Sequence, residues 1–138
     1  MKYIKIEGTK KLTKFVKPMM ATLSKSGPFD DANWIYEIKW DGYRAIAEIS
    51  LGEVKLYSRN GNTFDKAYPI VTNALKTIKA NVILDGEIVV FDEDGKPSFQ
   101  KLQNYKDNKH LPIQFFAFDC LSVNGKDITS LPLVERKA

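Results

Sequence analysis

The run Trp34-Ile35-Tyr36-Glu37-Ile38-Lys39-Trp40-Asp41-Gly42-Tyr43-Arg44 constrains the fold of this chain more than any other stretch. Its start has the aromatic and β-branched content of a strand, and Tyr43 to Ile49 alternates large and small residues with period two. Asp41-Gly42 between them is turn chemistry, because glycine accepts positive φ and aspartate bonds its own backbone. Leu51-Gly52 then turns into a third run, Glu53 to Ser58. Strands are expected at about 34–40, 43–50 and 53–58, with the key turns between them.

Lys39 therefore falls where a strand gives way to a bend, beside Asp41 and close to Arg44. A free lysine has a pKa of about 10.4, so being neutral near pH 7 costs roughly 4–5 kcal/mol. Burial and neighbouring cations reduce that cost, and Arg44 and Arg59 are the candidate cations. On its own, Lys-x-Asp-Gly reads better as a surface lysine beside a hairpin turn.

Further along, Ser58-Arg59-Asn60-Gly61 ends a strand in a turn. Ile70, Val71, Ala74, Leu75 and Ile78 share one helical face, which predicts an amphipathic helix over about 66–80 with Pro69 in its first turn. Val82 to Phe91 is a β run interrupted by Leu84-Asp85-Gly86-Glu87. Acids among valines and isoleucines are expensive unless they face a site or a partner, and Glu87 is the stronger candidate of the two. Asp92-Glu93-Asp94-Gly95 lacks the spaced ligands of a calcium loop and reads as a hairpin turn. Ser98 can cap a helix from Phe99 to about Tyr105, and Ile113 to Leu121 is the last clear strand, carrying Phe115-Phe116-Ala117-Phe118-Asp119. Asn124-Gly125 makes a turn, and Ser130 to Lys137 reads as the opening of a helix, with Ser130 as its cap, that the chain's end at Ala138 leaves short. Near the start, Tyr3-Ile4-Lys5-Ile6 suggests a short strand, and Met19 to Leu23 a helical turn within a loop. His110 sits in a loop with no second ligand nearby, and Cys120 reads as a core residue.

Taken together and in order, these segments resemble the nucleotidyl-lysine and following motifs of ATP-dependent DNA ligases. The wording around Lys39, and the approach Lys17-Pro18-Met19-Met20-Ala21-Thr22-Leu23, are most similar to the ligase domain of the bacterial end-joining ligase D. The resemblance runs from about Phe15 onward and implies an α+β fold, antiparallel sheets flanked by helices, as part of an ATP-grasp-like nucleotidyltransferase core. It implies that Lys39 attacks the α-phosphate of ATP to form lysyl-AMP, with Asp41 positioning the lysine and the metal-bound phosphates. Arg44 and Arg59 would hold ribose and phosphate, Glu87 the ribose and a nearby metal, and Phe118 the adenine face. Glu37 and Ile38 would meet the adenine edge. ATP and Mg²⁺ (or Mn²⁺) are the implied cofactors, and nicked or broken double-stranded DNA the implied partner in repair by end joining.

The family's later Glu-Gly and Lys-x-Lys motifs and its OB-fold domain have no counterpart in these residues. The expected organisation is a basic segment over 1–17 and the front portion of an adenylation domain over 18–138. Such a piece is expected to be weak or inactive alone, monomeric, and open to self-association through exposed sheet edges or grooves. A non-catalytic DNA-binding or scaffold piece of ligase ancestry, and an RNA-joining or capping relative, are the competing readings.

Composition adds little beyond this. Forty-three per cent apolar and 28% charged residues are ordinary for a globular chain, and no apolar run approaches a membrane span. One cysteine excludes an internal disulfide and suits a bacterial cytoplasm, beside the nucleoid. Net charge is +4, with Lys2, Lys5, Lys10, Lys11, Lys14 and Lys17 near the start suiting a phosphate backbone.

Overall fold

The computed structural model describes residues 15–138. Five strands form one antiparallel sheet in the order β2-β1-β3-β4-β5: β1 Tyr43–Ser50, β2 Glu53–Ser58, β3 Val82–Val90, β4 Ile113–Val123 and β5 Lys126–Asp127. Three short helices accompany it, α1 Pro69–Leu75, α2 Phe99–Gln103 and α3 Leu133–Arg136, with a 3-10 turn at Tyr105–Asp107. The chain is α+β, as the resemblance implies. The strand expected at residues 3–6, and most of the basic segment, lie outside the described residues.

Glycine and asparagine set the tight corners. Leu51 and Gly52 both take positive φ (51° and 82°), as do Asn124 and Gly125 (51° and 75°). That is the mirror-image turn whose twist matches two paired strands. Asp92 closes the other hairpin by accepting the amides of Asp94 and Lys96 at 3.0 and 2.9 Å.

One sheet face is dry. Ala45, Ala47 and Ile49 of β1, Leu56 of β2, and Ile88 and Val90 of β3 pack under Val71 and Leu75 of α1 and Leu102 of α2. The opposite face carries a smaller cluster, Ile46, Ile83 and Leu121, flanked by Phe15, Val16 and Tyr57. Next to that cluster the same face turns polar, and there the candidate residues gather.

Four local expectations need correcting. Residues 34–40 form no strand, and Trp34, Ile35, Tyr36 and Ile38 stand exposed, Ile38 at 71%. They carry β-forming side chains but find no neighbour to pair with. The helix expected over 66–80 is confined to α1, because Thr77 and Ile78 donate to Ala74 and Leu75 and tighten the last turn, while the Thr77 hydroxyl takes up the Ala74 carbonyl at 2.7 Å. No helical turn forms at 19–23. Ser130 does not cap α3; Pro132 occupies that position, its ring fixing the entry angle. Ser98 does cap α2, accepting the Lys101 amide at 3.3 Å.

Candidate active site

Three strands meet here in register. Arg44 of β1 stands opposite Glu87 of β3, and Glu87 opposite Phe116 of β4. One row along, Ile46 opposes Asp85, and Asp85 opposes Asp119. Directly opposite residues share a face, so two acids, an acid with an arginine, and an aromatic lie on one surface.

A bulge makes this arrangement fit. Asp85 pairs with Asp119 and Gly86 with Ala117, leaving Phe118 without an opposite on β3. The extra residue bends β4 and re-aims its side chains, a common device beside sites. Far from breaking β3, Gly86 keeps it continuous under that bulge. A methyl group there would come within 2.5 Å of both the Phe115 ring and the Phe116 carbonyl. Gly42 works the same way. It does not take positive φ as the turn reading expects; a side chain on it would lie 1.9 Å from the Ile88 carbonyl. Close backbone approach, and not the turn, demands this glycine.

The charges are paired with care. Arg44 forks onto Asp85, Nε to Oδ1 at 2.5 Å and Nη2 to Oδ2 at 2.7 Å, and also donates to the Met19 carbonyl at 3.2 Å. Asp85 is 3% exposed, so the fork neutralises a carboxylate that water does not reach. Those bonds hold the Arg44 guanidinium above its ordinary pKa. Asp119 is matched likewise by Arg136, at 2.9 and 2.8 Å, and Arg136 also donates to the Leu131 carbonyl. Lys137 bonds both Glu37 and the Phe118 carbonyl, the latter at 2.6 Å.

Glu87 has no such fork. Burial pushes its carboxyl pKa up; Arg44, the Gly42 amide and Lys39 oppose the rise, and Asp85 adds to it. It borders a cavity of about 600 Å³ shared with Gly42, Arg44, Arg59 and the rings of Phe64 and Phe99. A second cleft, of about 610 Å³, lies on the other side of Arg44, against Met19, Glu37, Asp85, Phe118 and Arg136. The two openings are comparable in size, and Arg44 lines both.

The sequence candidates are therefore distributed as follows. Arg44, Arg59 and Glu87 line the first cleft, with Arg59 exposed at its mouth in the turn after β2. Glu37, Arg44 and Phe118 line the second. The Arg44 guanidinium covers the Phe118 ring at 4.8 Å. Lys39 is exposed on the irregular segment before β1, near enough to Glu87 for its charge to act there. Ile38 and Asp41 are exposed on the same segment, and, like Lys39, they line neither cleft. Among the described residues, no three His, Cys, Asp or Glu side chains converge as a metal cage. His110 is exposed in the loop before β4. Burial raises the Cys120 thiol pKa, and its Sγ meets the Ser122 carbonyl at 3.5 Å.

Sequence reasoning ranked Asp85 below Glu87 and gave Asp119, Arg136 and Lys137 no role in the site. The signal for the acids was present, since the argument that singled out Glu87 applies to Asp119 amid Phe116, Phe118 and Leu121. Their basic partners lie 41 and 17 residues away, at spacings no local pattern reveals.

A family model described as the ATP dependent DNA ligase domain matches residues 10–138. The chain belongs to the ATP-dependent DNA ligase family. Its similarity to the end-joining branch is broad. It is 35% identical over 95% of its length to the multifunctional non-homologous end joining protein LigD of Pseudomonas aeruginosa, spanning 16% of that protein. It is 34% identical over 89% of its length to the SPbeta prophage-derived DNA ligase-like protein LigB of Bacillus subtilis, spanning 45% of it. Among solved structures, a mycobacterial DNA ligase D complexed with ATP and MES matches 73% of this chain at TM-score 0.66 and 35% identity. The ligase domain of LigD from M. tuberculosis matches at TM-score 0.65 and 37% identity. The chain covers 33% of each of those two. Among the described residues no helix is long and apolar enough to cross a membrane.

Proposed function

We propose that this chain carries the nucleophile-bearing portion of a ligase adenylation site, residues 18–138, behind a basic segment at 1–17. The observation that carries the proposal is the gathering of Arg44, Arg59 and Glu87 around one cleft, with Lys39 near enough for its charge to act on Glu87, in a chain of ligase ancestry. In this reading the neutral Lys39 amine attacks the α-phosphorus of ATP. A nitrogen–phosphorus bond forms, the bond to pyrophosphate breaks, and the amine's proton passes to solvent. AMP is then handed to a DNA 5′-phosphate, and an adjacent 3′-hydroxyl displaces it to seal the strand.

Phosphoryl transfer asks the protein for positioning and for stabilisation of spreading negative charge. Arg59 is exposed where a phosphate can reach it, and its fork of donors suits oxyanions. Arg44 is already committed to Asp85, so its place is fixed before any ligand arrives. That is preorganisation of a cation and of the Phe118 ring beneath it. Adenine would lie on Phe118, with Glu37 and Ile38 at its edge and Glu87 on the ribose. Asp41 would steer the lysine and the phosphates.

The residues present also fit a divalent cation. Magnesium favours one or two carboxylates plus substrate phosphates over an all-protein cage, and among the described residues Glu87 is the carboxylate lining the first cleft. Glu87 would hold the ion, which supplies charge neutralisation to the phosphates. The partner is nicked or broken duplex DNA, drawn by the basic segment in a salt-dependent manner, in a bacterial cytoplasm near the nucleoid. The 138 residues alone would bind nucleotide weakly and charge slowly, as a monomer that can self-associate.

Incubation of the whole gene product with α-labelled ATP and Mg²⁺ tests this. A hydroxylamine-sensitive label that disappears in Lys39→Ala is expected. Its absence would favour a non-catalytic DNA-binding role, and competition by GTP would favour a capping relative.

A further inference from the structure

The segment that delivers Lys39 has no place in the sheet. Among the described residues, no backbone–backbone hydrogen bond ties residues 35–41 to a strand, and most of their side chains are exposed. A nucleophile on so loose a tether would sample many positions, and misplacement by about 1 Å can cost on the order of 100-fold in rate. Something has to fix it.

Trp40 is placed to do so. Its indole lies flat on Phe116, with centroids 3.8 Å apart and planes 14° from parallel, and meets the edge of Phe91 at 6.4 Å and 74°. Phe91 and Phe116 also meet each other edge-on at 6.1 Å, so the indole enters a preformed aromatic notch. Phe116 is the residue directly opposite Glu87 across β3 and β4. Stacking Trp40 on it therefore anchors the backbone next to Lys39 one strand away from the carboxylate that feels the Lys39 charge. The Gly42 contact with Ile88 fixes the segment two residues later. These two anchors hold the chain immediately after Lys39, so the lysine's starting point is set from that side.

We propose that Trp40 is a positioning residue for Lys39, acting through its stack on Phe116. The inference rests on the adenylation reading above. A planar ring is what the contact uses, so phenylalanine should serve and a branched aliphatic of similar bulk should not.

The test compares wild type, Trp40→Leu and Trp40→Phe in the whole gene product, measuring the rate of charging from α-labelled ATP as a function of ATP concentration. Trp40→Leu is expected to lower kcat roughly 10- to 100-fold while KM for ATP stays within about threefold, the signature of lost alignment and not of lost binding. Trp40→Phe is expected to restore kcat to within about threefold of wild type. Charging by Trp40→Leu at the wild-type rate, or a raised KM with kcat unchanged, would overturn the positioning role and leave the adenylation reading standing. Wild-type protein that takes up no label on Lys39 would overturn the adenylation reading, and the positioning role with it.

Discussion

At Gly42 one added methyl group would sit 1.9 Å from the backbone carbonyl oxygen of Ile88. Overpacking ordinarily costs about 1–3 kcal/mol. Because the obstacle is main chain in the middle of β3, Gly42→Ala is expected at or above the top of that range, read as a lowered denaturation midpoint. Asp85 is the residue whose loss should hurt most by charge. Asp85→Ala leaves Arg44 without its fork, and breaking buried pairs costs about 3–5 kcal/mol. Arg44 retains 24% side-chain exposure, so water recovers part of the loss and the lower end of that range is expected in urea denaturation. Glu87 gives a pH test. Its carboxyl pKa is raised by burial, so the folded state binds that proton more tightly than the unfolded state does. The stability this contributes is full below the ordinary carboxylate pKa of about 4.3 and is lost as pH rises through the raised value. Glu87→Gln should therefore gain stability relative to wild type as pH rises from 4 to 7, and a constant difference across that range would contradict the burial argument.

At the scale of elements, legibility followed locality. The hairpins at Leu51-Gly52 and Asn124-Gly125, the Ser98 cap and the period-two strands were readable because each is decided by two to four neighbouring residues. Residues 34–40 misled for the converse reason. Trp34, Ile35, Tyr36 and Ile38 have strand-forming side chains, but a strand needs a partner, and pairing is a property of the fold and not of the segment. A direct consequence can be checked. Ile38→Ser should change stability by no more than about 0.5 kcal/mol, as for an exposed surface position, where a buried strand residue would cost several times that. The bulge at Phe118 was equally illegible, since it exists only against the register of β3. Sequence could place three aromatics in β4, but not say that Phe116 would face Glu87 while Phe118 slipped out of pairing under Arg44.

Across the whole molecule, a dry sheet face under α1 and α2 supports a second face on which charges are laid out in rows. The rows bring motifs far apart in the chain onto one surface. Arg44, Glu87 and Phe116 come from three strands, and the bends between them are fixed by glycines that admit a close carbonyl or ring. Individual motif residues were visible in the sequence. Their pairing, above all Asp85 with Arg44 and Asp119 with Arg136, was not, because it depends on register and on a helix at the far end of the chain. The most direct test of the account is to charge the whole gene product with ATP and Mg²⁺, digest it, and map the modified side chain by mass spectrometry. The account predicts adenylate on Lys39; adenylate carried by any other residue would contradict it.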